Sequence, residues 1–159
     1  SWAIDILVEN DYMYDSSVVP AKTSMYGLPN AEKSPYKISS KNLEKNNSDG
    51  VLIEFPLLVT NFLGKKIPAA GGFYLRSLPT KIIKNAIKNY EKQGIPSSFY
   101  VHSWELTPEY MPKLDLPFKD NFATFHNIND TYKRMNDILE EFEFTSFENY
   151  ISQGVNLSN

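Results

Sequence analysis

The sequence predicts an α/β fold, and two observations carry that prediction. The run over residues 51–55 is apolar and β-prone and is stopped by Pro56, as expected of a strand. An amphipathic helix over residues 79–93 leads through Gly94 into a second apolar run at residues 99–101, which is the helix-to-strand unit typical of α/β proteins. At 159 residues, the chain has the length of one domain with a sizeable core.

The first third of the chain is predicted to be a helix, a strand and a long insertion. Residues 2–9 begin abruptly as a helix that Ser1 can cap, with Trp2, Ile6 and Leu7 on one face, and we expect the chain to be part of a longer protein. Residues 12–15 are predicted to form a strand that ends on a carboxylate. Residues 20–50 are rich in proline and polar residues, which predicts an inserted loop with short strands near residues 24–26 and 36–39.

The later elements are predicted from spacing and from helix end signals. Pro79 starts and Gly94 ends the long helix, whose apolar positions recur at helical spacing. The Pro-rich residues 105–128 predict an extended loop. A final helix over residues 130–141 is predicted to have five side chains that face inward: Tyr132, Met135, Ile138, Leu139 and Phe142. Residues 144–147 are predicted to form a last strand or turn. The domain is expected to span residues 1–150, and residues 151–159 form a frayed tail.

Composition excludes several classes of protein. The net charge of −3 gives no basic surface for nucleic acid, and no apolar run is long enough to cross a membrane. Cysteine is absent, which excludes disulfides, thiolate metal sites and a cysteine nucleophile. With only two histidines, a multi-histidine metal site within this chain is not expected, so no metal ligand is assigned to it. The compartment stays open between the cytoplasm and the bacterial cell envelope.

His102 is the first candidate for a functional residue. It follows the predicted strand at residues 99–101, and in α/β folds ligands and chemistry gather where strands end. A lone histidine is more often a core residue held by a backbone hydrogen bond, so this alternative stands beside the functional one. His126 has no partner at a useful spacing and is predicted to be structural or exposed.

Four further residues are candidates for substrate binding. Arg76 follows two glycines and two aromatic residues, and its planar guanidinium suits a clamp on a substrate or a carboxylate, although a salt-bridged arginine would look the same. Tyr74 and Trp104 are predicted to stack on sugar faces or to belong to the core. Glu105 is predicted to position Trp104 or to bind a hydroxyl, and the alternative is a solvated charge.

A series of short motifs, in one order, resembles a known family. The chain carries Tyr-Met-Tyr-Asp-Ser-Ser-Val-Val-Pro at 12–20, Tyr-Gly-Leu-Pro at 26–29, Glu-Phe-Pro at 54–56, Gly-Gly-Phe-Tyr-Leu-Arg-Ser-Leu-Pro at 71–79, Phe-Tyr-Val-His-Ser-Trp-Glu at 99–105 and Phe-Glu-Phe-Thr at 142–145. This order is similar to the C-terminal half of NodB-homology polysaccharide deacetylases, in the subgroup linked to bacterial exopolysaccharide gene clusters.

The resemblance implies a distorted (β/α) barrel and a metal-dependent N-deacetylase. Such enzymes hydrolyse the N-acetyl groups of acetylated amino sugars with a divalent metal, usually zinc, held by an Asp and two His in motifs that this chain lacks. The N-terminal half of the same barrel is therefore the expected partner, and an N-acetylated polysaccharide or oligosaccharide the expected substrate. By resemblance, His102 is the general acid that protonates the leaving amine, and Asp15 is the carboxylate that orients it. The alternative for Asp15 is a surface turn residue that caps the bend at Ser16 and Ser17.

Two other functions remain open from the sequence. The chain could be a non-catalytic carbohydrate-binding or assembly module that uses Tyr74, Arg76 and Trp104 as a sugar surface. It could also be a structural domain that completes another chain's barrel. An isolated deacetylase half without metal ligands is expected to be inactive.

Overall fold

The computed structural model describes residues 2–24, 26–112, 114–154 and Leu157. In these residues the helices are α1 (Trp2–Glu9), α2 (Gly72–Ser77), α3 (Thr80–Glu91), α4 (Ser103–Leu106), α5 (Phe118–Phe125), α6 (Thr131–Leu139) and α7 (Phe147–Ser152). Short 3₁₀ helices cover Pro108–Tyr110 and Ile128–Asp130. The strands are β1 (Tyr14–Asp15), β2 (Tyr36–Ile38), β3 (Leu52–Glu54), β4 (Val59–Phe62) and β5 (Lys65–Pro68).

The strands form two small sheets. β3 is central in a three-stranded sheet, with β1 parallel on one side and β2 antiparallel on the other, so that Asp15 lies opposite Glu54. β4 and β5 pair as an antiparallel hairpin whose turn residues, Leu63 and Gly64, both have positive φ, as a two-residue hairpin turn requires. The fold is mixed α/β, and the described strands do not close into a barrel.

Two groups of buried apolar side chains hold these elements together. The larger group joins the β4–β5 hairpin to α2, α3 and α6 and includes Leu58, Leu75, Ile83 and Ile138. The smaller group lies between α1 and the three-stranded sheet. Residues 95–101 pack against the larger group through Ile95, Phe99 and Val101, and this packing fixes where His102 emerges.

Several predicted elements are confirmed because their signals are local. Helices at residues 2–9, 79–93 and 130–141 appear as α1, α3 and α6, and the strands at 12–15, 36–39 and 51–55 appear as β1, β2 and β3. In α3 the buried positions are those at helical spacing: Ile83, Ala86, Ile87 and Tyr90. Gly94 follows the helix with φ of +69°, the left-handed conformation that ends many helices.

The prediction of a strand at residues 99–101 is wrong. Ser98 makes a single parallel bridge with Leu57, and the backbone N–H of Leu58 donates to the Ser98 carbonyl at 3.1 Å. The pairing stops there because the Leu58 carbonyl accepts instead from the N–H groups of Ala69 and Ala70, at 2.8 and 3.2 Å. The apolar character of residues 99–101 reflects side-chain packing on the core, and His102 precedes α4 rather than ending a strand.

The prediction of an extended loop over residues 105–128 is also wrong. The segment contains the end of α4, a 3₁₀ helix and α5. Two of its three prolines lie where helices tolerate them: Pro108 is the first residue of the 3₁₀ helix, and Pro117 directly precedes α5, whereas Pro112 follows the 3₁₀ helix. Pro108 and Pro117 therefore mark helix starts rather than extended chain.

The predicted faces of α1 and α6 are only partly right. Ile4 is the buried residue of α1, whereas Trp2 is 73% and Ile6 47% exposed. In α6, Ile138 is buried, but Tyr132 and Leu139 are exposed. Both helices are short, so a shift of one residue in the buried stripe changes which side chains it contains.

Other expectations fall near the undescribed residues. No strand includes Ser24 or Tyr26, and Met25 lies outside the described residues. The proposed cap at Ser1 also lies outside them, as do residues 155, 156, 158 and 159 of the predicted tail. The prediction that the tail is frayed from residue 151 is wrong for residues 151 and 152, which belong to α7. Of the helices that the structure describes, none has the length and apolar character needed to span a bilayer.

Candidate functional site

Arg76 is a buried cation at the centre of the candidate site. It lies near the C-terminal end of α2 and is 1% exposed. Its Nε donates to the Gly72 carbonyl at 3.0 Å, Nη1 to Thr124 at 2.8 Å and Nη2 to Ala123 at 3.2 Å. Nη2 also forms an ion pair with Glu105 Oε1 at 3.0 Å. Burial lowers the pKa of Arg76, and the Glu105 carboxylate opposes that effect.

Gly72 leaves the space in which the Glu105 carboxylate lies. A Cβ at residue 72 would be 1.7 Å from Glu105 Oε1 and 2.1 Å from its Cδ, so no larger residue fits without displacing the carboxylate. Gly71, which precedes α2, has φ of +99°, a conformation that side chains other than glycine rarely adopt. The two adjacent glycines therefore have separate roles: one permits the turn and the other the close approach of Glu105.

Glu105 holds His102 at the N-terminus of α4. Its Oε2 accepts a hydrogen bond from the backbone N–H of His102 at 2.9 Å, which is one half of a capping box. The same oxygen lies 3.1 Å from Nδ1 of the imidazole. A carboxylate facing a guanidinium is an acceptor only, so Nδ1 carries the hydrogen and Nε2 is left for another partner.

Two aromatic side chains flank the imidazole. The Tyr100 hydroxyl hydrogen-bonds Nε2 of His102, and the two rings meet edge to face at 4.6 Å between centroids. On the other side, Trp104 stacks on His102 with centroids 5.4 Å apart. Trp104 also lines a shallow groove of about 380 Å³ with Tyr110, which is 83% exposed. The His102 side chain is 44% exposed, so a buried ion pair supports a histidine that solvent can reach.

Asp15 lies in a different environment from the one predicted. Its two carboxylate oxygens accept from the Ser17 hydroxyl at 2.7 and 2.6 Å, and in the described part of the chain it makes no hydrogen bond to His102. Because β1 pairs with β3, Asp15 instead lies beside Glu54. The carboxylate that orients His102 in the structure is Glu105. A catalytic role for Asp15 therefore stays a prediction, with a different geometry from the predicted contact.

Glu54 is a second buried carboxyl group, and it differs from Glu105 in lacking a cation. It is fully buried, its Oε1 accepts from the backbone N–H groups of Val18 and Ser17 at 2.9 and 3.1 Å, and no ion pair reaches it within the described residues. Burial raises the pKa of Glu54 to about 8, and the neighbouring Asp15 charge adds to the increase. Burial therefore favours the neutral form of the Glu54 carboxyl group at neutral pH.

A cavity of about 640 Å³ lies between the Asp15 carboxylate and Tyr100, the neighbour of His102. Its polar wall includes Asp15 and Ser17, and Tyr100 and Gly71 stand at its boundary; its apolar wall comes from α1 and the loop after β1. Tyr100 is thus in contact with both the cavity and His102.

Tyr74 belongs mainly to the packing. It is half-buried against the larger apolar group, and its ring meets Phe73 edge to face at 5.4 Å. Burial raises the pKa of the Tyr74 phenol, with a smaller contribution from Tyr26. Direct substrate contacts by Tyr74, Arg76 and Glu105 stay predictions, and the last two side chains are buried beneath His102.

Tyr100 is not among the candidates from the sequence, and Glu105 was predicted with a different contact, although the sequence carries a signal for each contact. Tyr100 is two residues before His102, and in extended chain residues i and i+2 share a side. Glu105 three residues after His102 has the spacing of a capping box, which indicates a contact with His102 rather than with Trp104. Glu54 carried no such signal, because its burial depends on the sheet order.

The described residues do not fit the metal that the resemblance implies. No group of three or more Asp, Glu or His side chains in residues 2–24, 26–112 and 114–154 is placed to hold a metal ion. His102 and Glu105 are bound to each other, and Glu105 is already paired with Arg76. What the cluster can do is hold one imidazole in a fixed orientation and move a proton at its Nε2.

Comparison with protein families gives a match over most of the chain. Residues 16–152 match the family model described as a domain of unknown function, DUF3473, a domain found at the C-terminus of polysaccharide deacetylases. Comparisons with curated proteins and with solved structures gave no match. The match covers strands β2 to β5, the Gly71–Gly72 turn and the whole His102 cluster, and the chain therefore belongs to the DUF3473 family.

Proposed function

We propose that this chain is the C-terminal part of a polysaccharide N-deacetylase and supplies its proton donor. The observation that supports the proposal is the fixed imidazole of His102, with Nδ1 on a carboxylate that a buried arginine anchors. Membership of a family found at the C-terminus of polysaccharide deacetylases points the same way. The substrate class proposed is an N-acetylated amino sugar within a bacterial polysaccharide.

The proposed step is protonation of the leaving amine. When the C–N bond of the acetamide breaks, its electron pair stays on nitrogen, and a sugar amine leaves readily only if that nitrogen gains a proton. Imidazole is the side chain most often used for general acid–base catalysis, which makes His102 the candidate donor. The Glu105 carboxylate binds Nδ1 and fixes the ring, which leaves Nε2 as the nitrogen that can transfer the proton.

The metal is proposed to lie on other residues of the protein. Since the described residues do not fit a metal, no step of this proposal passes through one held by this chain. The barrel that the resemblance implies is likewise proposed to be completed by sequence outside this chain.

The test is substitution of His102 in the full-length protein. We expect His102→Gln to lower deacetylation of acetylated glucosamine oligomers by about 100-fold or more, the usual contribution of a general acid, with metal content unchanged. His126→Gln is the matched control, because His126 stacks on Phe122 and makes no hydrogen bond or ion pair to Glu105 within the described residues. Full activity in His102→Gln would refute the proposal, and loss of metal would instead make His102 a ligand.

A second candidate is a non-catalytic carbohydrate-binding module. The groove beside Trp104, with the exposed Tyr110 ring, favours it because aromatic faces stack on sugars. Titration of the chain with the same oligomers distinguishes the two functions. Binding that Trp104→Ala abolishes, together with deacetylation unaffected by His102→Gln, would favour the binding module.

A further inference from the structure

Tyr100 has a position that the proposed proton donor alone does not explain. Its hydroxyl occupies the only imidazole nitrogen of His102 not already on Glu105. The nearest acceptor for a proton that leaves His102 from Nε2 is therefore the phenol oxygen of Tyr100. His102 cannot deliver that proton to a ligand directly unless Tyr100 moves away.

Tyr100 also lines a cavity that His102 does not reach within the described residues. It is 49% exposed and bounds the 640 Å³ cavity that contains Asp15 and Ser17, whereas His102 is not among the described residues that line this cavity. The cavity is lined mainly by apolar side chains, with Asp15, Ser16 and Ser17 as its polar part, and its volume lies in the range of small-molecule sites. A ligand bound there would face the phenol rather than the imidazole.

From these contacts we propose that Tyr100 is a catalytic residue, the terminal proton donor of a relay Glu105–His102–Tyr100 that opens into the cavity. The inference rests on the proposed deacetylase function. As the C–N bond breaks, the amine nitrogen takes the Tyr100 hydroxyl proton, and the phenol oxygen takes the proton from His102 Nε2. His102 ends neutral, with its Nδ1 hydrogen still on Glu105, and regains a proton from solvent.

The relay makes a specific prediction about the leaving group. An amide nitrogen needs a proton to leave, whereas the nitrophenolate of 4-nitrophenyl acetate leaves without one. Loss of the relay should therefore slow amide hydrolysis and spare ester hydrolysis, and a merely structural role for Tyr100 would slow both. Tyr100→Phe keeps the ring packing on His102 and removes only the hydroxyl.

The experiment compares Tyr100→Phe, His102→Gln and the control Tyr132→Phe in the full-length protein. Tyr132 lies on α6 and is 65% exposed. We expect Tyr100→Phe to lower kcat/KM for acetylated glucosamine oligomers by about 100-fold, like His102→Gln, with ester hydrolysis within about threefold of the unmodified protein. Tyr132→Phe should change neither.

Three outcomes would overturn the relay. If Tyr100→Phe keeps amide hydrolysis while His102→Gln loses it, His102 donates directly and the proposed function survives without the relay. If Tyr100→Phe slows amide and ester equally, the hydroxyl is structural. If His102→Gln itself keeps full amide hydrolysis, the proposed function fails and the relay fails with it.

Discussion

The buried pair of Arg76 and Glu105 gives the most quantitative prediction. Both side chains are almost fully buried, and Arg76→Met would leave the Glu105 carboxylate without its cation. Removing one partner of a buried ion pair costs about 3–5 kcal/mol, because the remaining charge stays buried and unpaired. The carbonyls of Ala123 and Thr124 also lose their donor, but they are close enough to the surface for water to replace part of that loss.

A double-mutant cycle measures the pair itself. The free energies of unfolding of Arg76→Met, Glu105→Gln and the double variant are obtained from urea unfolding followed by far-UV circular dichroism. We expect the double variant to cost less than the two single variants together, by about 1–3 kcal/mol, since it leaves no unpaired charge. Arg76→Lys, which keeps the charge but loses the planar fork, should lie between the unmodified protein and Arg76→Met.

The control is an exposed pair with similar geometry. Lys133 and Asp137 lie 2.9 Å apart on the surface of α6, where solvent screens the interaction, so Lys133→Met should leave the unfolding midpoint unchanged within error. Additive effects of Arg76→Met and Glu105→Gln, or a cost of Arg76→Met as small as that of Lys133→Met, would refute the assignment of Arg76 as the anchor of the site.

Three further predictions concern Gly72 and the buried carboxyl groups of Glu54 and Glu105. Gly72→Ala should displace the Glu105 carboxylate, lower the unfolding midpoint and weaken deacetylation in the full-length protein, and a crystal structure of the variant with Glu105 unmoved would contradict this. The pKa of Glu54 in the folded protein, about 8, lies above its ordinary value of 4.5, so its contribution to stability is fully present below about pH 4.5 and is lost as the pH rises through about 8. Glu54→Gln should flatten that decline in urea unfolding measured across this pH range, and an unchanged pH dependence would show that Glu54 is not the titrating group. Finally, Glu105→Gln should lower turnover more than Asp15→Asn through lost orientation of His102; the reverse order would restore Asp15 as the orienting carboxylate.

The elements predicted correctly are those whose signals lie within the element. The apolar spacing of α3 and the Gly94 end signal depend on neighbouring residues, and so does the β-prone run of β3. The strand prediction at residues 99–101 is wrong because an apolar run indicates burial of side chains and not hydrogen bonding of the backbone. Whether the run becomes a strand depends on the backbone of Leu58, which the β4–β5 hairpin occupies.

In the site, too, contacts between neighbouring residues were predictable and contacts between separate elements were not. The sequence placed His102, Trp104 and Glu105 together because they are adjacent in the chain, and it singled out Arg76 by its Gly-Gly context. It could not predict that Arg76 binds Glu105, since that contact depends on how α2 packs on α4 and α5. The orienting role of Asp15 is what the family resemblance implies, but the register of β1 on β3 brings Asp15 to Glu54 instead.

The orientation and tautomer of His102 test the site most directly. With two histidines in the chain, the ring nitrogens can be assigned by ¹⁵N NMR, using His102→Gln to identify the signals. For the neutral ring we predict a protonated Nδ1, held by Glu105, and a non-protonated Nε2 that accepts from Tyr100, with the tautomer preference lost in Glu105→Gln. A neutral ring with its hydrogen on Nε2, or a tautomer unaffected by Glu105→Gln, would contradict the assignment of Glu105 as the residue that prepares His102 for proton transfer.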